Sequence, residues 1–178
     1  DFYKKNGKDI VLSKALGRAF HEGQVIGCEY SGLKFIEKDV EAFIIIGNRF
    51  HSVGAALATN KPVFLIDVYN DEVSEMFEFK DKIIRERAMA IDRFKRAKNI
   101  GIIIEAKFGQ SFGSHDALIE KFRKSGKNPI LISMSEITPE KIMNFYNIDA
   151  FVELACPRIA IDDYSRYEKP MLTFREAL

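Results

Sequence analysis

The most reactive side chains in this sequence are two cysteines on glycine- or proline-marked loops. Cys156 follows the apolar run Phe151-Val152-Glu153-Leu154 and precedes Pro157. Proline has no backbone N–H to continue a ladder, so the thiol falls on an irregular loop beyond a strand. Cys28 lies in Gly23-Gln24-Val25-Ile26-Gly27-Cys28, where two glycines allow close backbone approach or a positive φ. Free, metal-bound and catalytic roles are all open to such thiols, as is simple burial as small hydrophobes. No Cys-x-x-Cys pair occurs, so no zinc pattern fits. The histidines say less. Ser114-His115-Asp116 are consecutive, and adjacent helical side chains point apart, so they form no catalytic triad. His51 follows Arg49-Phe50 and suits either anion binding or a capping role, while His21 has no neighbour that recommends it. The loop Gly109-Gln110-Ser111-Phe112-Gly113-Ser114 offers backbone N–H groups for a phosphate or carboxylate, or is a plain turn. It carries no Gly-Lys-Ser/Thr and is not a P-loop. Arg87 falls inside the apolar stripe of a helix, so its guanidinium needs a route to water or a carboxylate partner, for example at a domain junction.

The elements that must position these groups read as alternating strands and helices. Short apolar, β-branched runs occur at 10–12, 42–46, 63–66, 100–104, 129–133 and 150–154. They are continuous rather than alternating, the pattern of strands in parallel sheets covered on both faces. Residues 82–98 place Ile83, Ile84, Ala88, Ala90, Ile91, Phe94 and Ala97 on one helical stripe. Ser114 is an N-cap candidate for a helix that Ser125-Gly126 closes, and Thr138-Pro139-Glu140 opens another. Residues 50–59 form a short helix between two strands. An internal echo links Val40-Glu41-Ala42-Phe43 to Ile148-Asp149-Ala150-Phe151. Each acid is followed 21 residues later by the proline of a Lys-Pro pair, 41 to 62 and 149 to 170. The fold class expected is α/β, with two similar small three-layer domains of mainly parallel sheet at 1–78 and 79–178. The charged stretch 70–82 is the expected seam. In such sheets ligands sit beyond the carboxyl ends of strands, which here carry residues 47–51, 67–69, 107–110, 133–135 and 155–158.

Composition excludes several classes. The chain has 178 residues, 47% hydrophobic and 30% charged, too apolar for disorder. Two cysteines are too few for a disulfide scaffold. No apolar run approaches the ~20 residues of a membrane span, and no leader pattern opens the sequence, so a cytoplasmic setting is expected. With 27 Lys+Arg against 26 Asp+Glu the net charge is +1, which gives no long-range attraction for nucleic acid.

The run Leu154-Ala155-Cys156-Pro157-Arg158-Ile159-Ala160-Ile161-Asp162-Asp163-Tyr164, then Lys169-Pro170-Met171-Leu172-Thr173, resembles the C-terminal signature of archaeal-type diphthamide synthase, 2-(3-amino-3-carboxypropyl)histidine synthase. Residues 23–28 resemble its middle-domain cysteine loop, and Gly47-Asn48-Arg49-Phe50-His51 and Lys107-x-Gly109-Gln110 match family positions in family order. The resemblance implies a homodimer of three similar α/β domains, each giving one cysteine to a four-iron four-sulfur (4Fe-4S) cluster. It implies S-adenosylmethionine at the open iron, reductive release of a 3-amino-3-carboxypropyl radical, and attack on one histidine of translation elongation factor two. Thiolates hold such clusters, and an iron without a protein ligand is free for substrate. On this resemblance Cys28 and Cys156 are cluster ligands. Arg49, His51, Gln110, Arg158 and Asp162 line the cluster and S-adenosylmethionine pocket.

The family's first domain and its cysteine have no counterpart here. The expectation is a middle-plus-C-terminal part of a longer protein, with negligible activity alone. Two other readings stand beside it: a non-catalytic subunit or scaffold of the same complex, and a generic nucleotide-binding α/β protein using the 109–114 loop.

Overall fold

The computed structural model describes residues 2–106 and 113–178. The chain divides into two compact units, 1–82 and 83–178.

The first unit opens with one short turn of helix, α1 (Phe2–Lys5), and an irregular segment, then α2 (Ser31–Ile36). Its sheet holds β1 (Phe43–Ile46), β2 (Val63–Asp67) and β3 (Glu72–Glu75) in the order β1-β2-β3. β1 and β2 are parallel, joined through α3 (Arg49–Ala58), and β3 is antiparallel to β2. Phe43, Ile45, Val63 and Leu65 are buried, as are Val53, Ala55 and Ala56 of α3. The alternation of strand side chains makes the other face the home of Ile44, Ile46 and Val73. Ile46 is 69% exposed and Val73 72% exposed. A continuous apolar run therefore does not mean two covered faces in β1, contrary to the sequence reading.

One further expectation fails in this unit. Residues 10–12 are irregular and exposed rather than a strand, because among the described residues no neighbouring strand offers their backbone a ladder. The charged stretch 70–82 holds β3, a strand the sequence does not announce, and the boundary between the two units falls at its end, after Lys82. Asp67 closes the hairpin connection, its Oδ1 accepting N–H bonds from Tyr69 at 3.0 Å and Asn70 at 3.2 Å, and Asp71 takes φ 52°. Asx turns and αL acceptance are what Asn and Asp supply in such connections.

Helix α4 (Phe77–Arg96) runs through the unit boundary and starts five residues before the apolar stripe suggests. The second unit is a parallel sheet in the order β5-β4-β6-β7. Its strands are β4 (Asn99–Glu105), β5 (Asn128–Met134), β6 (Ala150–Glu153) and β7 (Met171–Thr173). The connections carry α5 (His115–Lys124), α6 (Pro139–Met143) and α7 (Pro157–Asp162), and α8 (Phe174–Ala177) follows β7. Ala90 and Phe94 of α4 and Leu118 and Phe122 of α5 pack on Ile100, Ile102, Val152 and Leu172. Ile142 of α6 and Ala160 of α7 pack on the opposite face with Ile103, Phe151 and Met171. Ser114 and Thr138 cap their helices as the sequence suggests, accepting from the N–H of Ala117 and Lys141.

The internal echo has a structural counterpart. The Phe43 N–H donates to the Pro62 carbonyl at 2.9 Å, and the Phe151 N–H to the Pro170 carbonyl at 2.8 Å. Phe43 pairs with Val63 and Phe151 with Met171, so each copy is a parallel strand–helix–strand unit in the same register.

Candidate functional site

In the first unit the carboxyl end of β1 meets the Cys28 loop. The Glu29 N–H donates to the Ile26 carbonyl at 2.9 Å, which puts Gly27 and Cys28 at the tip of a tight turn. A Cβ on Gly27 would collide with the Phe50 ring at the start of α3, so glycine is what lets the turn sit on that helix. Tyr30 adds a second tie, its hydroxyl donating to the His51 carbonyl at 3.4 Å. Cys28 is half-buried on this tip. Asn48 caps α3, its Oδ1 accepting the His51 N–H at 3.3 Å and lying 2.9 Å from His51 Nδ1. Arg49 reaches Glu72 of β3 at 3.4 Å and stacks 4.7 Å from the Phe79 ring centroid. The fold thus gathers Cys28, Arg49 and His51 around the start of α3, with Arg49 and His51 already engaged by neighbours.

In the second unit β6 ends at Glu153, and the chain passes through buried Leu154 and Ala155 to Cys156. Cys156 is the N-cap residue of α7 with extended φ and ψ, as a residue before proline should be. It is half-buried. Arg158 and Asp162 lie one turn apart on α7 and pair with each other, Arg158 Nη2 donating to Asp162 Oδ1 at 2.5 Å. Burial pushes the Asp162 carboxyl above the usual range, and the Arg158 guanidinium works against that. Gln110 and the rest of 107–112 lie outside the described residues.

Arg87 does meet a carboxylate, but inside its own unit rather than at a junction. Its Nε and Nη2 donate to the two Glu176 oxygens, both at 2.7 Å. Nη1 donates to the Ala160 carbonyl at 2.6 Å and Nη2 to the Met171 carbonyl at 2.7 Å. Glu176 in turn forms a capping box with Thr173. One guanidinium therefore ties α4, α7, β7 and α8 together.

Glu153 is the site residue that sequence reasoning passed over. It is 1% exposed, and among the described residues neither carboxyl oxygen has a hydrogen-bond partner of acceptable geometry. Burial pushes its pKa up to about 8, and the Ala155 backbone amide is only a partial counterweight. Glu176 and Glu105 push it further up, and Arg87 pulls it down. The available signal was one acid inside an otherwise apolar strand.

The fold and these two strand ends define an α/β protein of mainly parallel sheet with one cysteine beyond a strand end in each unit. Among the described residues no group of three or more His, Cys, Asp or Glu side chains is gathered for a metal ion. Among the same residues no helix is long and apolar enough to cross a membrane. The family model described as "Putative diphthamide synthesis protein" matches residues 1–178, and the chain belongs to that family. It is 33% identical over 178 residues to the 2-(3-amino-3-carboxypropyl)histidine synthase of Pyrococcus horikoshii, covering 99% of this chain and 50% of that one. The synthase of Methanocaldococcus jannaschii is 30% identical over 185 residues, covering 98% and 52%. Subunit 1 of the Kluyveromyces lactis synthase is 34% identical over 155 residues, covering 85% and 36%. The crystal structure of Dph2 from Pyrococcus horikoshii with a 4Fe-4S cluster superposes with a TM-score of 0.84 at 32% identity, covering 98% of this chain and 50% of that one. The chain spans about half the length of these archaeal relatives.

Proposed function

We propose that this chain is the middle (1–78) and C-terminal (79–178) part of a 3-amino-3-carboxypropyl transferase for the first step of diphthamide formation. Its co-substrate is S-adenosylmethionine and its protein substrate a histidine of translation elongation factor two, in a cytoplasmic homodimer. The observation that carries this reading is the pair Cys28 and Cys156, each presented beside a parallel strand end, in a chain that matches the family from end to end. Thiols at such positions suit an iron–sulfur cluster, which would supply the electron that cleaves the co-substrate. The donor set is incomplete in this chain, because two thiolates are one short of the three that leave a single iron open. The 178 residues alone are therefore expected to be inactive.

Arg49, His51, Gln110, Arg158 and Asp162 are the proposed lining of the co-substrate pocket. An arginine suits the methionyl carboxylate because its planar fork makes two parallel hydrogen bonds. The test is anaerobic reconstitution of the full-length parent with iron and sulfide, followed by transfer of labelled carboxypropyl group to elongation factor two. Labelled factor supports the reading. A parent that binds no cluster, or transfers no label with one bound, removes catalysis and leaves the scaffold role.

A further inference from the structure

Glu153 occupies an unusual position even for a buried acid. It ends an interior strand, in register with Ile103 of β4 and Thr173 of β7, three residues before Cys156. Its side chain shares the sheet face of Phe151 by strand alternation. Among the described residues its two oxygens lack hydrogen-bond partners, although the residue is only 1% exposed. An unsatisfied buried carboxyl is a standing cost to the fold. The charges that act on it relieve that cost only in part. Arg87 of α4 is committed to Glu176 of α8 and to the carbonyls of Ala160 and Met171. Glu105 of β4 is another acid, and Arg158 of α7 is paired with Asp162. The Tyr167 hydroxyl, whose pKa Glu153 helps to raise, is neutral. Glu153 is the last residue of β6, from which the chain runs through Leu154 and Ala155 to Cys156.

We propose that Glu153 receives a primary ammonium group of the ligand bound beside Cys156. Taken with the function proposed above, on which this inference rests, that group is the amino group of the aminocarboxypropyl arm of S-adenosylmethionine. With the site empty the carboxyl keeps its proton, so no bare charge is buried. When the ammonium arrives, the Glu153 O–H bond breaks and the proton leaves to solvent. The carboxylate then accepts charge-assisted hydrogen bonds from the ammonium. No electrons change hands. Such a site selects a ligand that carries the amine, because a deaminated one leaves the acid unpaired.

The test uses the full-length, cluster-loaded parent, as wild type and as Glu153→Gln. Calorimetry at pH 7 in two buffers of different ionisation enthalpy measures both affinity and proton release. The ligands are S-adenosylhomocysteine, which keeps the ammonium and lacks the sulfonium charge, and its deamino analogue. The wild type should release close to one proton per S-adenosylhomocysteine, and the variant none. The variant should bind S-adenosylhomocysteine about tenfold or more weakly, the usual worth of a charge-assisted contact. It should bind the deamino analogue within about twofold of wild type. Equal affinities for S-adenosylhomocysteine, or equal losses for both ligands, overturn the inference and leave the proposed function standing. A wild type that binds neither ligand overturns the proposed function, and the inference with it. Should the variant not fold, proton release by the wild type decides alone, and its absence refutes the inference.

Discussion

Replacing Glu153 with Gln converts a buried titration into a fixed amide, and the consequence is a change in how stability depends on pH. The carboxyl has an ordinary value of 4.5 and is raised to about 8 in the folded chain. The folded state therefore holds a proton that the unfolded state gives up between those values, and stability falls as pH rises through that window. Each pH unit costs about 1.4 kcal/mol until the folded carboxyl itself ionises. Below pH 4.5 nothing is lost; between pH 5 and pH 8 the wild type should lose roughly 3.5 kcal/mol relative to Glu153→Gln. The amide brings buried polar atoms of its own, which offset the two proteins by a constant, so the divergence with pH is the diagnostic quantity. Native-state hydrogen exchange at the Phe151 amide reads the unit that holds Glu153, because that amide donates to the Pro170 carbonyl inside the sheet. Wild type and variant that stay parallel from pH 5 to pH 8 would refute the claim that Glu153 is held neutral by burial.

Other perturbations test the remaining contacts. Gly27→Ala drives a Cβ into the Phe50 ring, and overpacking of this kind costs about 1–3 kcal/mol, so thermal unfolding of the first unit should shift down. Arg87→Met leaves the Glu176 carboxylate and two buried carbonyls without their donor, and loss of one partner of a buried pair costs about 3–5 kcal/mol in urea unfolding. Arg87→Lys should recover only part of it, since an ammonium cannot span the same four acceptors in the plane of a fork. Cys156→Ala in the full-length parent should abolish cluster-dependent label transfer while far-UV circular dichroism stays unchanged, since the thiol is half-buried and sits on a loop. A variant that retains transfer would remove Cys156 from the proposed donor set.

Much of this architecture was legible in the chain. The apolar runs at 42–46, 63–66, 100–104, 129–133 and 150–154 fall on strands β1, β2, β4, β5 and β6 with ends that differ by one residue, and Ser114, Thr138 and Pro139 open helices where their side chains and fixed φ suggest. These signals are local, resting on propensity and capping within a few residues. The echo between the two strand–helix–strand copies was legible for the same reason: acid, strand and Lys-Pro recur at fixed spacing. The failures also share a cause. Residues 10–12 have the composition of a strand and lack a partner for their backbone. Glu72-Val73-Ser74-Glu75 lies in the charged stretch and has no apolar run, yet it pairs with β2, because a hairpin connection brings it alongside.

Sequence alone determined the family, the α/β class and the loops that carry Cys28 and Cys156, because motif spacing and strand punctuation are written in neighbouring residues. Tertiary structure decided which charges are buried and what they meet. Arg87 and Glu176 are 89 residues apart in the chain and share two hydrogen bonds. Glu153 is an acid in a short apolar run until β4 and β7 close on either side and withdraw it from water. Burial is a property of the whole packed unit, and it turns an ordinary carboxylate into a proton-holding group beside the proposed site.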